Sequence, residues 1–175
     1  MAGEGLTFVT DPPLTEDLVA RMTEIWIDVT NAGGSVGGVA PADAEQLQPV
    51  IEDALGRVEA RKDHMVLATL DDQMVGFGFL AFRPGPLFRH WATVKRLQVD
   101  PKLQGRGYGG AILDELTRVA RDDLGLEALH LTVRGGTGTE GFYERHGYKE
   151  LARIPDAIRL APDDTREEIY MVARL

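Results

Sequence analysis

Apolar positions along this chain recur with two periods, alternating over short runs and every three to four residues over longer ones. Leu6 to Val9 reads as a short strand that Pro12 and Pro13 stop. Thr15 is a good helix N-cap, with Glu16 and Asp17 in the first turn where the helix dipole favours them. Leu18, Met22, Ile25, Trp26 and Val29 then form one helical stripe, and Thr30 to Ala40 is a loop. A second helix is predicted from Asp43 to Arg61, with Leu47, Val50, Ile51, Ala54, Leu55 and Val58 inward; Pro49 inside it predicts a kink or a later start. His64–Leu70 and Met74–Phe82 read as strands joined by a tight turn at Asp71-Asp72-Gln73.

The next strand, His90 to Asp100, changes parity: Ala92 and Val94 are apolar on even positions, Leu97 and Val99 on odd ones. Side chains alternate strictly in a regular strand, so the switch predicts a β-bulge near Lys95 and Arg96. Gly107 to Asp123 follows as a helix with Ile112, Leu113, Leu116, Val119 and Ala120 on one face, and Glu127 to Val133 as a strand. Thr137 and Glu140 have capping-box spacing and open a short helix that ends before Gly147. Tyr148–Ile154 and Glu168–Leu175 are the last strands, with a turn from Ile154 to Glu167 between them. This order predicts an α/β fold: a mixed sheet with helices on its faces.

Composition narrows the picture. A chain of 175 residues is expected to be a single domain, 1–175, able to bury about 70% of its unfolded surface. There is no cysteine, which excludes disulfides, thiolate metal sites and a cysteine nucleophile. The net charge of −9 disfavours a nucleic-acid partner. An acidic field favours a cationic substrate, although solubility is the plainer reading. No apolar run is long enough to span a membrane, and the opening segment has no secretory pattern, so the cytoplasm is the expected compartment. His64, His90, His130 and His146 are scattered without ligand spacing, so no metal is expected.

Glycine is the outlier. Of 20 glycines, 12 fall in three clusters, at 33–38, 105–110 and 135–141. The middle one lies between a strand and an amphipathic helix, in LQVDPKLQGRGYGG, residues 97–110. Unpaired N–H groups and the dipole at such a helix start favour a phosphate, and Gly107 and Gly109 leave those donors open. Arg106 adds a charge at the rim. The loop lacks the Gly-Lys-Ser/Thr of a Walker motif. Gly105, Gly107 and Gly110 fit the dinucleotide pattern G-x-G-x-x-G, but the next strand ends at Val133-Arg134 without an acid, and only two strands follow. Gln104 to Gly109 also fit Q/R-x-x-G-x-G/A, the coenzyme A pattern.

With that loop, and with Gly141-Phe142-Tyr143-Glu144-Arg145-His146-Gly147-Tyr148 downstream, the chain resembles the GNAT superfamily of N-acetyltransferases. The motifs span about residues 92 to 150, and the order of elements fits over nearly the whole chain. The resemblance implies the acyl-CoA N-acyltransferase fold with a bulged central strand, and acetyl-CoA as acyl donor. It implies that Gln104, Gly105, Arg106, Gly107, Tyr108, Gly109 and Gly110 bind the diphosphate, and that Leu97, Gln98 and Val99 pair with the pantetheine arm. It places Tyr143 beside the sulfur. A phenol of ordinary pKa about 10 is protonated at neutral pH and suits a general acid for the departing thiolate. The family often has Asn seven positions before this tyrosine; here Gly136 stands there, and Thr137 or backbone groups would substitute.

The base is open. The position where the family often has an acid is Thr93; His90, Asp156 and a water relay are the alternatives. Gly33-Gly34-Ser35-Val36-Gly37 echoes the loop between the first two helices in relatives of tabtoxin resistance protein, placing the acceptor near Gly34, Ser35, Val36 and Asp156. The expected activity is direct acetyl transfer to a primary amine of a small molecule, in a homodimer as often in the family. A protein N-terminus or lysine as acceptor, a non-catalytic acyl-CoA-binding regulatory domain and an NAD(P)-binding enzyme are the alternatives.

Overall fold

The computed structural model describes residues 5–175. Residues 1–4, part of the opening segment read above for a leader, lie outside the described residues. The elements are β1 (Leu6–Thr10), α1 (Glu16–Asn31), α2 (Ala44–Glu59), β2 (His64–Leu70), β3 (Gln73–Ala81), β4 (Trp91–Val99), α3 (Tyr108–Arg118), β5 (Ala128–Arg134), α4 (Glu140–Arg145), β6 (Lys149–Ala161) and β7 (Asp164–Arg174). They form one seven-stranded sheet in the order β1-β2-β3-β4-β5-β7-β6. Neighbours are antiparallel except β4 and β5, which run parallel.

Two apolar cores lie against this sheet. One joins α3 to Val66, Val75, Leu80, Val94, Leu129 and Ile169. The other joins α1 and α2 to Met65, Leu67, Phe77 and Phe79, with Trp26 tilted against both phenylalanine rings. The alternation of β2 and β3 sorts their side chains between the two cores.

Local signals set most boundaries. Thr15 caps α1 by accepting from the Leu18 N–H, and Asp43 and Gln46 form a capping box at α2. Asp71 and Asp72, both with positive φ, make the β2–β3 turn. Three expectations need correction. Helix α2 starts at Ala44 and runs through Pro49 without a later start, because the proline and the Glu45 carbonyl whose partner it removes are both exposed to water. Thr137 and Glu140 do not form a capping box: Thr139 is the N-cap of α4, and Thr137 turns back to donate to the Arg134 carbonyl. The segment Ile154–Glu167 is mostly the long β6–β7 hairpin rather than a turn, with Pro155 tolerated because β6 is an edge strand.

Strand β4 bends where its parity changes. Arg96 has φ +52°, and the register with β3 slips between Phe77 and Phe79. Beyond the bulge β4 leaves β5, the two pairing only over Trp91–Thr93 and Ala128–His130. The loop after β4 is tied to α1 by Asp100, which is buried, accepts from Arg21 and from the Lys102 N–H, and donates its own N–H to Val75. Replacing Asp100 by alanine orphans the Lys102 amide and removes one of the two carboxylates that Arg21 bonds, the other being Glu24, and is expected to cost about 2 kcal/mol. Arg21→Ala should cost less than Asp100→Ala, because Arg21 is partly solvated; urea unfolding of the two variants checks the order.

Candidate active site

The parted ends of β4 and β5 open a cleft of about 660 Å3. Leu97, Gln98 and Val99 form one wall and Thr132, Val133 and Arg134 the other. The edge of β4 that faces β5 has no strand partner past Thr93, which leaves main-chain groups of Leu97–Val99 for a ligand. One is used internally: Gln104 Nε2 donates to the Val99 carbonyl at 3.0 Å.

The glycine loop and the start of α3 close one end. Gly107 is the N-cap at φ +82°, a conformation costly for any residue with a Cβ, and it offers no capping side chain. The first N–H groups of α3 therefore have no partner within the helix, and Tyr108, Gly109 and Gly110 line the cleft. Backbone N–H groups and the helix dipole at such a start favour an anion. Gly110 has a second role, since a Cβ there would meet the His146 ring at 3.0 Å; its smallness lets α4 pack on α3. Arg106 is exposed on the loop, outside the lining.

Across the cleft, Val29 and Ala32–Val36 bring the end of α1 and its loop into the wall. Trp26 holds this loop by donating from Nε1 to the Val36 carbonyl at 2.8 Å, and Asn31 brackets its far end through both Ala42 backbone groups. Gly34, Ser35 and Val36 are thus cleft residues. Gly38 is not; a Cβ there would lie 2.5 Å from Leu47. In the third glycine cluster, Thr137 and Thr139 reach the cleft but Gly135, Gly136, Gly138 and Gly141 do not.

Tyr143 reaches the cleft from α4. Its ring packs edge-on against Phe142 and Tyr148, at 4.9 and 5.8 Å between centroids. Lost hydration pushes its phenol up to about 12. Burial raises Tyr148 still more, and its hydroxyl is buried without a partner.

Two sequence candidates do not join the cleft. His90 is exposed just before β4, at the opposite end of that strand from Val99, and lines a separate depression with Trp91, His130 and Arg174. Asp156 lies in the irregular part of the β6–β7 hairpin, exposed, at φ +53°, accepting from Thr165. Strand direction removes the first and the hairpin the second. Among the described residues the cleft lining contains no carboxylate and no imidazole. Two wall residues had no motif to announce them: Arg134, visible only as the basic end of a strand, and Val29, visible only as the end of a helical stripe. Among the described residues there is no metal-binding cluster and no helix long and apolar enough to cross a membrane.

The family model described as "Acetyltransferase (GNAT) domain" matches residues 61–150, just over half of the chain, from before β2 into β6. The chain belongs to the GNAT acetyltransferase family. Solved structures repeat the fold. A ribosomal-protein-alanine N-acetyltransferase from Brucella melitensis superposes with a TM-score of 0.74 at 19% identity, over 95% of this chain and 99% of that one. An inferred acetyltransferase from Salmonella typhimurium, yncA, solved with its cofactor acetyl-CoA, gives 0.76 at 15% identity over 98% and 95%. An inferred phosphinothricin N-acetyltransferase gives 0.75 at 18% over 97% and 98%. The GNAT assignment overturns the NAD(P) alternative, and the largely antiparallel sheet agrees, since a dinucleotide fold needs a parallel one.

The environment of Tyr143 has a measurable signature. In the folded protein its phenolate should form only near pH 12, whereas an unfolded tyrosine ionises near 10. Its contribution to stability is therefore complete below pH 10 and is lost as the pH rises toward 12. An absorbance titration of phenolate should lose the transition near pH 12 in Tyr143→Phe and keep the still later one of Tyr148.

Proposed function

We propose that this GNAT domain transfers the acetyl group of acetyl-CoA to a primary amine of a small molecule, by direct attack within a ternary complex. The observation that carries this reading is the convergence on one cleft of the unpaired edge of β4, the backbone anion site at α3 and the Tyr143 phenol. The diphosphate takes the α3 amides, the pantetheine amides pair along Leu97–Val99, and the thioester then lies toward Tyr143. The acceptor enters on the side of Gly34, Ser35 and Val36.

The amine nitrogen attacks the thioester carbonyl, whose oxygen is stabilised by β4 N–H groups. The N–C bond forms and the C–S bond breaks. Tyr143 gives its proton to the departing sulfur, the ammonium of the tetrahedral intermediate loses one proton to water, and a proton from water returns to the Tyr143 phenolate, leaving a neutral amide and the free thiol. The weak acidity of Tyr143 keeps its proton in place at every physiological pH. The same dry surroundings make a thiolate at that spot more basic, so the transfer occurs as the thiolate forms. With no carboxylate or imidazole in the cleft lining, a water relay carries the other proton.

Calorimetry should show binding of acetyl-CoA and none of NADH; NADH binding without acetyl-CoA binding defeats the reading. Tyr143→Phe should lower kcat by about 100-fold while leaving acetyl-CoA affinity nearly unchanged. The pH profile tests the missing base: kcat/KM should climb to the acceptor amine's own pKa and move when an acceptor of different pKa is used. A plateau fixed near 6.5 for every acceptor would reveal an imidazole base instead.

A further inference from the structure

Of the side chains that line the cleft, only Arg134 is charged. The chain carries 28 acidic residues, and none among the described residues lies in that lining. Arg134 ends β5, half-buried, opposite Glu168 in the register with β7. It makes no ion pair among the described residues; Glu168 accepts from the Tyr170 hydroxyl instead. Arg134 Nη2 donates to the Gly33 carbonyl at 2.5 Å, which draws the guanidinium across to the α1 side, away from the α3 anion site. Among the described residues its Nη1 and Nε have no partner, so part of a planar donor fork remains for an anion.

A second group on the same face is also unpaired. Gln98 is paired with Phe77 and shares its side of the sheet, the α1–α2 side. It is 3% exposed, and neither polar atom of its amide has a hydrogen-bond partner. A buried amide without partners is costly unless something else uses it. The acceptor side therefore offers one guanidinium, one unspent amide and no negative side chain. An acceptor with a second ammonium finds no counter-charge there, and one with a carboxylate finds a fork.

We propose that the acceptor is a small aminocarboxylate, a molecule carrying a carboxylate near the amine that is acetylated, and that Arg134 anchors that carboxylate. This rests on the acetyl-transfer reading above. It reverses the expectation drawn from the net charge, because the local lining rather than the total decides what enters. It also separates a small molecule from a protein N-terminus, whose amine has no neighbouring carboxylate.

The test is CoA release by the full chain with matched acceptors, L-phenylalanine against phenethylamine and L-leucine against isoamylamine, with spermidine as the polyamine. The wild type should favour the amino acids by about 10- to 100-fold in kcat/KM, the range one charged hydrogen-bonded contact supplies. R134Q should bring that ratio close to one by raising the amino-acid KM far more than it lowers kcat, and R134K should restore part of it. A wild-type preference for the bare amines or spermidine, or a ratio that survives in R134Q, overturns the proposal and leaves acetyl transfer standing. So does a lowered melting temperature in R134Q with the ratio intact, which would make Arg134 only a strap on the α1 loop. If R134Q instead raises the KM of acetyl-CoA but not that of acetyl-dephospho-CoA, the anion is the cofactor's phosphate and the proposal fails. No CoA release from any acceptor overturns both readings.

Discussion

The active cleft depends on one broken strand pairing. Strands β4 and β5 are the only parallel neighbours in the sheet, and they stay together for three rungs before the bulge at Arg96 turns β4 away. A regular β4 would have continued the ladder and spent its main-chain groups on β5. The bulge instead leaves an unpaired edge inside the molecule, where only a ligand with amide-like donors and acceptors can use it. The left-handed backbone at Arg96 carries an energetic cost of order 1 kcal/mol. It is held by packing on both sides: the Arg96 guanidinium lies 5.8 Å from the centre of the Trp26 ring, and Leu97 packs toward Gly78 and α3.

From that break the rest of the site follows. The loop that leaves β4 is pinned to α1 through Asp100 and Arg21, so the start of α3 and the end of α1 are set against one another across the gap. Trp26 then serves two structures at once, filling the core against Phe77 and Phe79 and holding the glycine loop by its indole N–H. One face of the opened sheet presents a helix N-terminus and the other a helix C-terminus. The first suits a diphosphate; at the second, Arg134 bonds the Gly33 carbonyl and sets a positive charge.

The electrostatics of the site are those of a largely uncharged cleft with one arginine, in an acidic protein. Many of the acids lie on outer helix faces and in the β6–β7 hairpin, several of them paired with arginine, as Glu150 and Glu167 are with Arg153. The long-range field and the local lining therefore point in opposite directions, and at contact distance the lining dominates because solvent and salt screen the exposed charges. Tyr143 belongs to the same cleft, and burial of its phenol raises its pKa.

Features carried by neighbouring residues were legible in the sequence. The caps at Thr15 and Asp43, the turn at Asp71-Asp72, the bulge near Arg96 and the helix start after Gly107 each arise from backbone preferences acting over a few positions, and each lies where its residues predict. The motif residues Gln104, Gly105, Gly107 to Gly110 and Tyr143, read together from the sequence, all line the cleft, while Arg106 stands outside it. What required the tertiary structure was which end of an element faces which neighbour. His90 and Val99 belong to one strand, but only Val99 lies at the end where the sheet opens. Asp156 reads as a loop acid until the hairpin carries it outward. Arg134 is one arginine among many until the crossing of β5 and the end of α1 makes it the charged member of the cleft. A strand's chemistry is written in its own residues, but the face and end at which it is used depend on partners distant in sequence, which only the folded sheet brings together.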